Sequence, residues 1–392
     1  MFTPETSKHF KKYVDESGVV SYILKTRVAT VQQGPYFTNP GMTPDGRFMW
    51  FGCTTLPSIL KYRAVIDFES DEIFVHHGTV GSTNPWVLEN GDMCFANGRG
   101  IYKVSPKDTA NYTELFDSSL INRRVQDRFD KNPKGDIPNT GVNTGHLSVC
   151  NADGKTALID PGYVAFPGTR IGSVDISTGK YTEWTKVEGW ICNHAAINPE
   201  NPDLGLVAED FFVDPRDGMF HSIRTLPDGS VCRIVLVTRD GGYEVVPPMF
   251  KGLTTHEWWS ADGKAVYSVD MTNGLCRYDL ETKTWELRVP GKAWHGHSSA
   301  DEKYYVSDID LVDENYRGCE SRVRFYNYET KKDVYIITKN PAWNDREHQN
   351  PFHMDPHPHF TCGGKYVCHT TTVDGHIDVA LTPVEQLIEM TK

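Results

Sequence analysis

One pattern constrains this 392-residue chain more than any other: a tight turn followed by a short strand-like run, repeated seven times. The copies read PDGRFMWFG (44–52), ENGDMCFAN (89–97), ADGKTALID (152–160), ENPDLGLVAE (200–209), ADGKAVYSV (261–269), ADEKYYVSD (300–308) and CGGKYVCHT (362–370). Asp-Gly, Asn-Gly and their relatives tolerate the positive φ of a hairpin turn, and the alternation that follows suits a half-buried strand. A second motif, DISTGKYTEW (175–184), DLETKTWEL (279–287) and NYETKKDVYI (327–336), reads as the hairpin between the outer strands of the same units. The units recur about every 40–60 residues with almost no helical periodicity between them, as expected of propeller blades, whose radial repetition protects the sheet edges. The expected fold is all-β, a seven-bladed β-propeller over residues 1–392, ahead of an irregular pair of β-sandwiches. Residues 1–26 are expected to form an arm or a blade-closing segment, and a partly helical insertion is expected over 118–140.

The histidines follow the repeat. His194, His256, His295 and His357 each stand six residues before the turn residue of their unit, and His146 stands seven before Asp153. The same offset gives Asn39 (or Thr38) in the first unit and Asn84 in the second. Rotation about a propeller axis superposes equivalent positions, so these side chains converge on one mouth of the central channel if the position opens the innermost strand. Converging imidazoles either ligate a divalent metal or act as acid or base near neutral pH. His295, Asp355 and His357 form a mixed N/O set suited to Mn²⁺, Fe²⁺, Ni²⁺ or Zn²⁺. In an extended chain His353, Asp355 and His357 share a face, while Pro356 and Pro358 prevent ordinary ladder pairing there.

Composition narrows the class. The formal charge of −12 argues against nucleic-acid binding, which needs clustered Lys and Arg. No apolar run approaches the roughly 18 residues that span a bilayer, and the polar N-terminus lacks the apolar core of a signal peptide. Nine scattered cysteines without a CxxC pair suit a reducing cytoplasm better than a disulfide framework.

TTHEWWSADGKAVYSV, KAWHGHSSADEKYYVSD and PAWNDREHQNPFHMDPHPHFTCGGKYV together resemble the oligogalacturonate lyases, cytoplasmic seven-bladed propellers of polysaccharide lyase family 22 that act in pectin degradation. The resemblance spans roughly residues 27–385, and the Thr-His-Glu-aromatic and Pro-His-Pro-x-Phe motifs are its most specific parts. It implies that His256 is a catalytic histidine and Arg233 a catalytic arginine. It also implies that Mn²⁺ is held by His295 and by the segment Asp355-Pro356-His357-Pro358-His359-Phe360, in which aspartate replaces the family's first histidine. Where the family has a glutamine ligand this chain has Phe352, leaving Gln349 or His353 as the fourth ligand. The family's insertion after the third inner strand is reduced here to PGYVAFPG (161–168), so a different sugar or chain length fits the cleft.

The activity implied is metal-dependent β-elimination on an anionic, uronic-acid-containing oligosaccharide, with His146 and His194 binding substrate or merely lining the channel. Of His256 and Arg233, the histidine is the better base on physical grounds, since a free guanidinium titrates above about 12. A propeller hydrolase or isomerase acting on another sugar, and a non-catalytic binding propeller, are the competing readings.

Overall fold

The computed structural model describes residues 1–97, 100–117, 145–163, 168–188, 190–213, 220–222, 224–225, 228–310, 321–339 and 355–392. The expected insertion at 118–140, Gln349, Phe352 and His353 lie outside these residues. Among the described residues the chain is strand and turn, apart from the helix Val384–Met390 and one 3₁₀ turn, His77–Thr79. Among the described residues no helix is long and apolar enough to cross a membrane.

Seven antiparallel sheets of four or five strands form the blades, with one further two-stranded ribbon, Arg224–Thr225 against Val231–Cys232. The fifth blade is representative. Its strands Thr254–Trp259, Ala265–Asp270, Gly274–Asp279 and Thr284–Pro290 pair in chain order. The first hairpin of blades 1, 5 and 6 is built by a short polar code that the repeat spells out. In blade 5, Ser260 donates through Oγ to Asp262 (2.7 Å) and accepts from the Ala265 N–H (2.9 Å). Thr43 with Asp45 and Ser299 with Asp301 repeat the arrangement in blades 1 and 6. Gly263 follows at φ 68°, and a Cβ there would lie 2.3 Å from Asn198 Oδ1 of the neighbouring blade, so only glycine turns this corner.

The core is not one central mass but a series of layers, one between each pair of neighbouring blades. Trp50, Val65, Met93 and Phe95 fill the space between blades 1 and 2, and Leu158, Ile171, Val207 and Val235 that between blades 3 and 4. Fully burying such side chains contributes on the order of 1.5–3 kcal/mol each, and this holds each blade against its neighbours. Ring closure falls to the seventh blade. Its inner strands His359–Thr361, Tyr366–Thr371 and Asp378–Pro383 come from the C-terminal end of the chain. Val20–Leu24 then pairs with Asp378–Pro383, and Phe10–Val14 adds outside it.

Candidate active site

The start of each inner strand carries the side chains of interest, and the backbone there departs from a regular ladder. Register shifts occur at Thr83/Trp86, Asn193/Ala196 and Thr255/Trp258, each a bulge in the inner strand. The first residue of each bulge is left-handed: Asn84 at φ 46°, His194 at 56° and His256 at 53°. His357 takes the same conformation at 46°, between the two prolines that delay ladder pairing until His359. Non-glycine residues rarely adopt this region, and where they do the backbone is usually aiming a side chain. Here it aims them at the axis.

The five register histidines therefore meet. Ring centroids are 4.8 Å apart for His146 and His194, 4.1 Å for His256 and His295, and 4.3 Å for His295 and His357. Blade 1 contributes differently from the expected Asn39, which instead donates to the Pro85 carbonyl at 2.8 Å. Eight residues, 34–41, stand opposite only Trp50 and Phe51 between the Gln33–Gly52 and Met42–Met49 pairs. This excursion inserts Tyr36 among the rings, 5.8 Å from His194, 5.8 Å from His295 and 5.0 Å from His357. Burial, reinforced by the Glu257 carboxylate, holds the Tyr36 phenol well above its ordinary pKa. Beside the cluster a cavity of about 470 Å³ is lined by Tyr36, His146, His194 and Glu257 together with Trp86, Trp258, Trp259 and Phe360.

On one side of the cluster, His295, Asp355 and His357 bring their ligand atoms within 4.8 Å of one another, all three residues buried. Behind them Asp308, fully buried, accepts the His295 backbone N–H at 2.6 Å and faces His295 Nδ1 at 2.9 Å. Its second oxygen also takes the His357 N–H, at 3.3 Å. His295 Nε2 is buried without a hydrogen-bond partner. A buried imidazole nitrogen left bare while its other nitrogen is fixed by a carboxylate is what a metal-ligating histidine presents. The donor set thus fits a divalent ion with N/O preference.

On the other side, Arg233 donates through Nε to Glu257 (2.8 Å) and pairs through Nη1 with Asp210. Burial pulls the guanidinium down, but Glu257 and then Asp210 outweigh it, so its pKa ends above the ordinary value. Burial raises the Glu257 and Asp210 carboxyls, and Arg233 opposes the rise in both. His256 is pushed well below its ordinary pKa by burial and then by His295 and His194, and His194 is lowered by burial and then His146. The His256 Nδ1 is buried without a hydrogen-bond partner, although the residue as a whole is partly accessible. The His194 N–H donates to His146 Nδ1 at 2.9 Å, while Asp160 accepts the N–H groups of His146 and Ala195. His359, buried, turns its Nδ1 to the His357 carbonyl at 3.1 Å and so ties the loop.

The structure therefore brings together His146, His194, Arg233, His256, His295, Asp355 and His357. Tyr36, Asp160, Asp210, Glu257 and Asp308 are the members that reading the sequence missed. A signal for three of them was present: ALID, VAED and YVSD each end on a carboxylate near the close of a second strand, at Asp160, Asp210 and Asp308.

Fold and site together define a seven-bladed propeller with a histidine–carboxylate cluster on its axis. No protein-family model matches the chain. An oligogalacturonide lyase of Pectobacterium atrosepticum is 25% identical over 236 residues, 54% of this chain and 55% of the relative. An oligogalacturonate lyase of Dickeya dadantii is 23% identical over 235 residues, with the same coverage. The chain thus spans about half the length of the curated relatives it matches. Among solved structures, the oligogalacturonate lyase of Vibrio parahaemolyticus superposes with TM-score 0.74 at 17% identity, covering 96% of this chain and 97% of that one. An oligogalacturonate lyase in complex with manganese gives 0.71 at 18%, covering 95% and 96%. The fold is that of the oligogalacturonate lyases.

Proposed function

We propose that the protein is a divalent-metal-dependent lyase that cleaves uronic-acid-containing oligosaccharides by β-elimination, with Mn²⁺ the expected ion. The observation that carries this reading is one adjacency on the axis. The buried His295, Asp355 and His357 donor set abuts the partly accessible His256, whose ring centroid lies 4.1 Å from that of His295. The lyase activity for which the relatives are named, and the manganese bound to one structural neighbour, support the same reading.

Elimination removes the proton on C5, α to the substrate carboxylate, forms the C4–C5 double bond and expels O4 from C4. A divalent ion held by His295, Asp355 and His357 would supply a positive charge that stabilises the charge developing on the carboxylate. His256 is assigned the C5 proton, because its Nδ1 has no hydrogen-bond partner and its ring lies beside the ion's ligands. Arg233, kept cationic and held rigid by Glu257 and Asp210, is assigned to counter the developing negative charge rather than to act as the base. His146 and His194, both partly accessible, are assigned to substrate hydroxyl or carboxylate groups. The departing O4 takes its proton from solvent, leaving one unsaturated uronide and a shortened chain.

The test is a panel of uronide oligosaccharides incubated with metal-loaded protein, read by ultraviolet absorbance of the new conjugated double bond. Turnover on at least one uronide is expected, with none by His256→Ala that retains the wild-type circular dichroism. Chelation should abolish activity and one divalent ion restore it. Absence of an unsaturated product from every uronide, or wild-type turnover by the variant, rejects the proposal.

A further inference from the structure

We propose that Asp308 is a positioning residue of the ion site, fixing the tautomer of His295 and the backbone of His357 so that ligand segments from two different blades are held toward one ion. The inference rests on reading His295, Asp355 and His357 as the ligands, and concerns a residue that does not itself bind the ion.

Asp308 lies in the second strand of blade 6, Tyr304–Asp310, and its carboxylate has no solvent contact. Its Oδ1 accepts the His295 N–H, and its Oδ2 faces both His295 Nδ1 (2.9 Å) and the His357 N–H (3.3 Å). Its own N–H donates to the His295 carbonyl at 3.2 Å, so strand and ligand loop are tied from both directions. A carboxylate accepts only, so the hydrogen between it and His295 belongs to Nδ1. That leaves Nε2 as the lone-pair nitrogen, the atom found buried without a partner. His295 comes from blade 6 and His357 from blade 7, and the Asp308 carboxylate bonds to both ligand segments. Among the described residues no other hydrogen bond of the His295 ring chooses between its two tautomers.

Asp308→Asn is nearly isosteric and reverses this choice. The strong 2.6 Å bond from the His295 N–H keeps the amide oxygen at the Oδ1 position. The amide NH₂ then faces Nδ1, which must accept, and the ring proton moves to Nε2, where an ion would bind. The experiment titrates metal-free wild type and variant with Mn²⁺, followed by electron paramagnetic resonance in the absence of sugar. Ring-nitrogen NMR reports the His295 tautomer in both proteins. The expected result is Nδ1–H in the wild type, Nε2–H in Asp308→Asn, and about 10–100-fold weaker Mn²⁺ binding by a variant of unchanged circular dichroism. Unchanged affinity, or weaker affinity with His295 still Nδ1–H, overturns the inference. Should the variant not fold, the wild-type spectrum decides: an Nε2–H ring in the metal-free protein overturns the assignment, and an Nδ1–H ring upholds it. Wild-type protein that binds no Mn²⁺ overturns it at the root, whereas Mn²⁺ binding without turnover of any uronide overturns the proposed reaction alone.

Discussion

His194, His256 and His357 hold a left-handed backbone that side chains with a Cβ adopt at a cost on the order of 1–2 kcal/mol each. Three such residues in one cluster indicate that aiming these rings is worth more to the molecule than the stability given up. A comparison at one of them isolates the strain. His194→Ala and His194→Gly both lose the ring, but glycine relieves the conformation, so the alanine variant is expected to unfold at lower urea, by about 1 kcal/mol. Equal midpoints would show that φ 56° is not strained. Arg233 offers a second test, because its orientation depends on Glu257, whose side chain is wholly buried. Glu257→Gln is expected to lower uronide turnover on the order of 100-fold through misplacement of the guanidinium, with Mn²⁺ affinity little changed. Steady-state kinetics beside a metal titration checks this, and a loss confined to metal affinity would move Glu257 to the ion's side of the cluster.

At the scale of elements, the pH response is set by buried rings within strands. Burial holds His369, in the strand Tyr366–Thr371, down to about 4, whereas an exposed histidine titrates near 6.5. Between these values the unfolded chain binds a proton that the folded chain refuses. Folding stability is therefore full above about pH 6.5 and declines as pH falls toward about 4. Urea midpoints at pH 7 and pH 5 should differ more for wild type than for His369→Gln, and an equal difference would locate the acid sensitivity elsewhere. Elements were also what the sequence displayed most openly. Each Ser/Thr-x-Asp-Gly turn and its alternating strand can be read directly because the interactions are local, as Ser260, Asp262 and Ala265 illustrate. The histidine register was legible for the same reason, since repeat offset maps onto rotation about the axis. Tyr36 was not legible, because it reaches the axis through an irregular excursion that no period describes. Glu257 and Asp210 were hidden differently: an acidic residue on a strand reads as solvated until tertiary structure buries it against Arg233.

For the whole molecule, the candidate ion site joins two blades, with His295 from the sixth and Asp355 and His357 from the segment leading into the seventh. An ion there would act as a clasp across that boundary. At 100 times its dissociation constant, Mn²⁺ is expected to stabilise the native ring by about 2.7 kcal/mol. Thermal melts at increasing Mn²⁺ should rise accordingly, and a melting temperature indifferent to the ion would exclude binding linked to folding. Removing residues 1–24 takes away both outer strands of blade 7, and with them the edge against which Asp378–Pro383 pairs. The truncated chain is expected to lose cooperative unfolding and the Mn²⁺-dependent rise together; retention of either would show that the inner strands close the ring alone.

The pairing of Val20–Leu24 with Asp378–Pro383 has a consequence for the order of events during synthesis. Val20–Leu24 can pair at once with Phe10–Val14, but its other edge has no partner until more than three hundred further residues have been made. Blades 1 to 6 can assemble as the chain lengthens, each on the hairpin before it, but the histidine cluster stays an open arc until the strands of blade 7 emerge. A nascent chain can therefore hold most of the cluster's side chains without the cluster being closed, and closure arrives in one late step. During that interval the exposed edge of Val20–Leu24 is the part of the molecule most in need of protection from pairing with another chain.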